Sequence, residues 1–453
     1  MATTFLSTTL GTPTSSRIWT FSTWLKRCGL ASGQHIFSID NGSQRDAFSF
    51  DSDDGLRLYF NGSATGYADL STNRVLRDTS AFYHLVIAVD TTQATAANRV
   101  KLYINGTQYT WDETTVYGNQ NYDTFNASGN TFRIGRDRTA AAYFDGILAH
   151  THFIDGTQYA ASTFGETDST SGIWKPKTAP SVTYGNNGFF LKFENSGNLD
   201  LDSSGNNRSF TTSGTLTQNV DTPTNNYATL TPLYTIEYKS SQFFTNGNNT
   251  TNSNTTQWNT NPCTMEVSSG KWYFEGYGHT NGSNYVHYGI TSSEKMGANA
   301  TQAQQEINAQ SNGYAYSYYG YNGSIYYSTT SASSSASYGA TFGSSDYIGI
   351  FADLDNNKLY FAKNGTLQNS GTGYSINADG KPYILATAVY SGLTNVNFGS
   401  GVFGTTVLTG TTYADANGHG TFKYSPNQGG AANFDSAAKN FYAMNTKNLK
   451  EFG

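Results

Sequence analysis

What most limits the folds open to this chain is its turn chemistry: short runs of alternating apolar and polar residues, each closed within a few positions by Asn, Asp or Gly. VKLYINGTQY sets Asn105-Gly106 between two alternating runs. That is the strongest short-range hairpin signal, because both central residues of such a turn take positive φ. LYFAKNGT repeats the device at Asn364-Gly365. WTFSTWLKR puts Trp19, Phe21, Thr23 and Leu25 on one face and Thr20, Ser22 and Trp24 on the other, the pattern of a half-buried strand. HLVIAVD, with Leu85 to Val89 at its centre, is a continuous apolar run suited to an inner strand.

Composition sharpens this into an all-β expectation. Aromatic residues are 15% of the chain and charged residues 13%, too many rings for a disordered protein and too few Leu, Lys and Glu for a helical one. At 453 residues there is room for two or three cores. The net charge of -6 is mild and no block of Lys or Arg appears, so nucleic acid is not an expected partner. Cys28 and Cys263 stand far apart, which argues against a disulfide framework and is compatible with assembly in a cytosol. MATTFLSTTLGTPTSSR lacks the basic start and apolar run of a signal peptide, and no apolar stretch reaches the ~20 residues of a membrane span. Membrane insertion is not expected.

Between two β-rich blocks lies DTPTNNYATLTPL, Asp221 to Leu233, where Pro223 and Pro232 fix φ and Asn225-Asn226 favours a turn, the chemistry of a rigid join. The polar TIEYKSSQFFTNGNNTTNSNTTQWNTNPC after it reads as a loop or an edge hairpin. The sequence predicts a short helix over Asp435 to Met444, which at that length needs docking to hold.

The succession WTFSTWLKR, HLVIAVD, KLYINGTQ, RIGRD and FDGILAHTHFIDG resembles the concanavalin A-like, or laminin G-like, jelly roll, over roughly Trp19 to Phe164. In that family two antiparallel sheets pack face to face. SGKWYFEGYGH, VHYGITSSE, GYAYSYYGYNG, YIGIFADLDNNKLYFAKNG and PYILATAVYSG resemble in that order a SPRY domain, another antiparallel sandwich, with Asp353, Asp355 and Asn356 building its most specific turn. SPRY domains present variable loops to partners, so this resemblance implies recognition rather than catalysis. FIDGTQYAASTFGE, GIWKPK, YGNNGFFLKF, DLDSSGNN and the join resemble a cassette of structural proteins from marine bacteriophages, including those of cyanobacteria, and FKYSP with NFYAMNTKNL resembles their carboxy-terminal ending. The expected fold is thus all-β, with two antiparallel β-sandwich (jelly-roll) domains. The expected divisions are a laminin G-like sandwich over 1–175, a connecting segment over 176–235, a SPRY-like sandwich over 236–405 and a carboxy-terminal extension over 406–453.

Catalytic patterns are missing. Some sandwiches of the first type are glucanases with two Glu and one Asp at alternate strand positions, a spacing that aims all three at one groove, and no Glu-x-Asp-x-Glu occurs here. Asp112-Glu113 are adjacent and point to opposite faces of a strand. None of the seven His lies beside a Gly-x-Ser-x-Gly nucleophile signature. His150 and His152 are spaced to share a strand face and hold a metal with a carboxylate, but strand histidines satisfied by neighbours are several times more common. No cofactor is required, and calcium is the one cation the laminin G resemblance admits, through oxygen ligands at one rim. Its candidate ligands are the pair Asp40 and Asn41 and the FDSDDG residues Asp51, Asp53 and Asp54. Asp-rich turns are ordinary, as are the Asn-x-Ser/Thr turns at Asn41, Asn61 and Asn105.

Sugar binding uses exposed rings as platforms for pyranose faces, with amides and carboxylates bonding the hydroxyls. Tyr314, Tyr316 and Tyr318 alternate onto one face, while Trp258, Tyr319 and Tyr321 stand in loop-like surroundings and are the ligand-binding candidates. Most of the other rings fill sandwich cores. These features lead to the expectation of a non-enzymatic virion structural protein, assembled in the host cytoplasm. Two roles fit: a tail fibre or appendage adhesin that binds a host surface glycan or receptor, and a capsid decoration protein. Other virion proteins and further copies of the same chain are its expected partners.

Overall fold

The computed structural model describes residues 3–453 apart from 31–32, 61–67, 113–115, 140, 234–241, 281, 293–306, 308–313, 330–332, 378–379 and 428–439. Asn61 and Glu113 lie outside the described residues. Strand occupies 47% of the chain and helix 4%, so the all-β expectation holds. The chain forms two compact units, Met1–Gln218 and Asn219–Gly453.

The first unit runs through β1 (Phe5–Thr9), β2 (Ile18–Arg27), β3 (Gln34–Asp40), β4 (Arg45–Phe50), β5 (Gly55–Phe60), β6 (Ala68–Val75), β7 (Tyr83–Asp90), β8 (Val100–Ile104), β9 (Thr107–Tyr109), β10 (Thr131–Ile134), β11 (Gly146–Asp155), β12 (Gly165–Thr167), β13 (Trp174–Pro176), β14 (Phe189–Leu191) and β15 (Thr211–Ser213). Seven strands form one sheet in the order β15-β1-β10-β3-β4-β5-β6, and six form the other as β14-β11-β2-β7-β8-β9. Trp19, Phe21, Phe37, Phe48, Ile87 and Phe132 meet in the core between them. Asn105 and Gly106 both take positive φ, as the β8–β9 hairpin requires. The stretch 176–235 differs from the expected connecting segment, because β14 pairs with β11 and β15 with β1. GFFLKF carries fully buried Phe189 and Leu191, and leaving them on a linker would expose two large apolar side chains.

β2 is also more buried than its alternation predicts. Its core face is Trp19, Phe21 and Leu25, yet Thr20, Ser22 and Trp24 on the other face are buried too. The reason is a roof: Tyr159, Ala161, Phe164, Trp174, Val182 and Tyr184 pack over Val86 and Ile154 on the outside of the six-stranded sheet. The roof sits so close that a side chain at Gly106 would meet the Trp174 ring at 2.9 Å.

The second unit contains β16 (Gln242–Thr245), β17 (Thr250–Val267), β18 (Lys271–Tyr277), β19 (Val286–Ser292), β20 (Ala315–Tyr319), β21 (Ser324–Ser328), β22 (Ser333–Ser337), β23 (Tyr347–Asp353), β24 (Lys358–Lys363), β25 (Thr366–Leu367), β26 (Tyr374–Ser375), β27 (Tyr383–Asn397), β28 (Val402–Phe403), β29 (Thr406–Val407) and β30 (Tyr442–Ala443). Long β27 joins the two layers: Tyr383 to Val389 pair with β19, and Asn395 to Asn397 pair with β18. The polar stretch after the join is the β16–β17 hairpin, and β17 lies along β27. The core takes Trp272, Phe274, Tyr288, Ile290, Tyr318 and Ile350. Asp353 accepts the Asn356 amide at 3.0 Å, which is the turn expected there, while Asp355 accepts the Gly270 amide at 2.7 Å.

The carboxy terminus departs from the expected helix over Asp435 to Met444. Residues 435–439 of that stretch lie outside the described residues, Tyr442 and Ala443 form β30 in parallel with Trp272 and Tyr273, and the helix follows at α1 (Thr446–Phe452). An extended chain sends alternate side chains to opposite sides. That is what places Phe441 and Ala443 in an outer layer with Tyr273 and Phe351 while Met444 enters the main core. The Asp221–Leu233 stretch is not a free-standing join either. Ala228 donates to the Met444 carbonyl and Thr446 donates to the Asn226 carbonyl, both at 2.9 Å, so this segment and the tail hold each other. Fully buried Glu275 seats the tail further, accepting the Lys423 and Tyr424 amides at 2.9 and 2.8 Å.

Candidate functional site

On the outer face of the second unit's sheet, strand pairing collects rings that the sequence scatters over more than a hundred positions. β17 and β27 place Trp258 opposite Tyr390, and β19 and β20 place His287 opposite Tyr319. Odd positions of β19 and β20 point away from the core that Tyr288, Tyr316 and Tyr318 enter. Trp258 lies 5.7 Å from Tyr319 and 5.7 Å from Tyr390, and Tyr285 lies 6.2 Å from Tyr319 and 5.3 Å from Tyr321. Tyr319 and Tyr321 are 6.0 Å apart. The three ligand-binding candidates are therefore neighbours, although only Tyr321 stands in a turn. Trp258 belongs to β17 and Tyr319 ends β20. Small residues make room alongside, since Ala386 and Ala388 pack with Ala315, Ile307 and Trp258.

Exposure grades across this face. Tyr321 is 55% exposed and Tyr319 9% exposed, while His287 beneath is 1% exposed. The His287 ring stacks on Tyr319 at 4.2 Å and 5°, and its Nδ1 meets Ser317 Oγ at 2.9 Å. Its Nε2 has no hydrogen-bond partner among the described residues. Burial alone pushes this imidazole down to about 3, so it is neutral throughout the physiological range. Asn322 follows Tyr321 in the turn and donates from Nδ2 to Tyr326 Oη at 3.1 Å. Tyr285, His287 and Tyr390 were not singled out from the sequence. The alternation of NYVHYGI placed Tyr285 and His287 on one face, but a core face and an outer face look alike in sequence.

The calcium candidates are dispersed. Asp40 pairs across the β3–β4 hairpin with Arg45, and Asp51 follows the far end of β4, six residues or about 20 Å along the strand. The pair and the triplet therefore do not form one site. Asp40 is ion-paired with Arg133 and caps the Gly42 amide, while Asn41 caps Ser43 and Gln44. Asp54 is taken by two guanidinium groups, Arg27 and Arg77, each at 2.8 Å. Asp51 and Asp53 line a hollow with Asp69, and there Arg57 already supplies the positive charge, bonding Asp69 at 2.7 and 2.6 Å. Among the described residues no group of three or more His, Cys, Asp or Glu is placed to hold a metal ion.

The histidines of the closing strand in the first unit serve packing. His152 is buried, stacks on Phe190 at 3.8 Å and bonds Tyr184 Oη through Nδ1 at 3.0 Å. His150 sits at the irregularity between Ala149 and His152, with a φ of 47°.

Comparison with known proteins follows the same division. Residues 3–161 match the family model of the concanavalin A-like lectin/glucanases superfamily, and residues 271–400 match that of the SPRY domain. Among curated proteins none matches the chain. Among solved structures, the SPRY domain of human HERC1 is similar at 15% identity, covering 35% of this chain and 92% of that one, with a TM-score of 0.28. A human SPRY domain is similar at 14% identity, covering 35% and 94%, with a TM-score of 0.26. A heptameric SAP-like pentraxin from Limulus polyphemus is similar at 17% identity, covering 39% and 86%, with a TM-score of 0.28. Residues 3–161 are thus similar to a laminin G-like, concanavalin A-like domain and residues 271–400 to a SPRY domain.

Proposed function

We propose that the protein is a non-enzymatic structural component of a marine phage virion, an appendage adhesin that holds a host surface glycan or protein. The observation that carries the binding role is the ring cluster around Trp258, Tyr319 and Tyr321, two strand-borne rings beside a turn-borne one that is left in solvent. Sites carried on strands keep their geometry better than sites on loops. The phage assignment rests on the resemblance of the roof cassette, the Asp221–Leu233 stretch and the carboxy-terminal ending to phage structural proteins. On this reading the partners are other virion proteins and further copies of the chain, and the protein resides in the virion. Calcium remains a proposal for the first unit.

The test is to label the particle with an antibody and to incubate the purified full chain with the cyanobacterial host. An adhesin sits on the tail or a fibre and binds host cells. A high-copy protein on the shell, whose removal leaves cell attachment unchanged, is a decoration protein instead and overturns the proposal.

A further inference from the structure

We infer that a hollow on the outer face of β1 in the first unit takes an oxyanion, a sulfate or phosphate group either free or esterified on a larger molecule, held by the hydroxyls of Ser7, Thr9 and Thr131 and the guanidinium of Arg208. The site is independent of the ring face in the second unit.

Strand pairing builds the hollow. Leu6, Leu10 and Phe132 enter the core, so the alternate residues Ser7, Thr9 and Thr131 stand on the outer face. Thr9 lies directly opposite Thr131 across β1 and β10, and Ser7 lies opposite Thr211 across β1 and β15. Together with Arg208 and Ser209 from the segment that leads into β15, they line a space of about 520 Å³. The hydroxyls of Ser7, Thr9, Thr131 and Thr211 are spent on no protein group among the described residues.

Arg208 supplies the charge. Its Nη1 donates to the Thr9 carbonyl at 3.0 Å, and its Nη2 donates to the Asn186 carbonyl at 3.0 Å and to Asn187 Oδ1 at 2.9 Å. These neutral acceptors fix the guanidinium, but they leave its charge unpaired and one Nη1 hydrogen unspent. No carboxylate among the described residues comes within ion-pairing distance of it. Asp202 and Asp155 act on it only from further off, and their oxygens are occupied: Asp202 accepts the Phe190, Ser204 and Arg208 amides, and Asp155 those of Thr14, Ser15 and Asn187. Desolvation outweighs both acids and lowers the guanidinium from its usual value, so the group has lost water without gaining a contact anion. Its cationic neighbours reinforce the sign. Arg133, opposite Ser7, is paired with Asp40, while Arg136 lies over the Phe5 ring at 4.2 Å. A cation or an apolar ligand finds no match here, since neither a carboxylate nor an apolar side chain is among the described residues that line the hollow. A neutral sugar suits the hydroxyls and leaves the charge of Arg208 unmet. An oxyanion accepts from both.

The experiment titrates the purified full chain in a calorimeter, at constant ionic strength, with sodium sulfate, sodium phosphate, dextran sulfate and uncharged dextran. The expected result is anion binding that is lost in Arg208→Gln and falls about ten-fold in the double variant Thr9→Val/Thr131→Val, with no binding of dextran. Valine keeps the branched shape of threonine on a strand, so the double variant decides alone if Arg208→Gln fails to fold. Inorganic sulfate or phosphate bound as tightly as each sulfate group of the polymer identifies a free ion. Tighter binding of dextran sulfate identifies an esterified group, and either outcome supports the inference when the double variant weakens it. No binding of any anion, dextran bound as tightly as dextran sulfate, or equal anion binding by the native chain and the double variant overturns it.

Discussion

Each unit carries a histidine on the outer face of a sheet, stacked on an aromatic ring and hydrogen-bonded to a serine on a neighbouring strand, and the two differ in what lies above. In the first, His84 stacks on Trp24 at 4.6 Å and bonds Ser22 Oγ through Nε2 at 2.9 Å, and Trp174 of the roof donates to Nδ1 at 3.0 Å. In the second, His287 stacks on Tyr319 and bonds Ser317, but no described group meets its Nε2, and the face rises to the exposed ring of Tyr321. The same local chemistry is roofed in the first unit, while in the second no described group meets the His287 Nε2 and the Tyr321 ring beyond it stands in solvent.

Acid gives the largest expected separation. Burial holds His84 down to about 3 and His152 well below its usual value, so the unfolded chain takes up protons near 6.5 that the folded unit refuses. Stability conferred by these groups is present above 6.5 and lost as pH falls, roughly 2 kcal/mol per histidine by about pH 5. Asp145, raised by burial, offsets part of this. The second unit loses the same at His287. However, burial raises Glu275 to about 7, so that it keeps its proton in the fold and its contribution grows as pH falls from 7 towards 4.5. Scanning calorimetry between about pH 7 and 5 is expected to show the first unit's transition falling further than the second's; equal shifts break the comparison.

Next in size, Trp174→Ala opens the roof and removes a donor from His84. About 2 to 3 kcal/mol of first-unit stability is expected to disappear in denaturant titration, with cell binding by the folded protein unchanged. Ser317→Ala strips the His287 ring of its one hydrogen-bond partner among the described residues, and about 1 kcal/mol of the second unit's stability is expected to go. A larger loss from Ser317→Ala than from Trp174→Ala would mean that the open face, not the roofed one, is the structural element. The smallest effect is expected at the acidic turn. Asp53 is exposed, so Asp53→Ala is expected to move the first unit's stability by less than about 0.5 kcal/mol. A chelator that lowers that unit's Tm would show a bound cation there and sharpen the contrast differently.

Much of this architecture was legible because turns are local. Asn105-Gly106 and Asn364-Gly365 adopt the positive φ their hairpins demand, and Asp353 closes the turn its spacing implied. The candidate face was legible in part. Sequence singles out Trp258, Tyr319 and Tyr321 as ligand-binding candidates in loop-like surroundings, but the partners that gather them arrive by register across β17, β27, β19 and β20. The surroundings of the calcium candidates were not legible, since Asp40 and Asp51 stand at the two ends of one hairpin and Asp54 is held by two arginines that come from elsewhere in the chain.

The sequence by itself determined the strands, their hairpins and the two sandwiches, because alternation and turn geometry act within a few residues and need no distant partner. The tertiary structure alone decided which outer faces are covered: Trp174 comes down on His84 from ninety positions away, and Tyr442 joins β18 from well over a hundred. Burial is a property of what packs on a face, and no local pattern records whether another part of the chain returns to cover it.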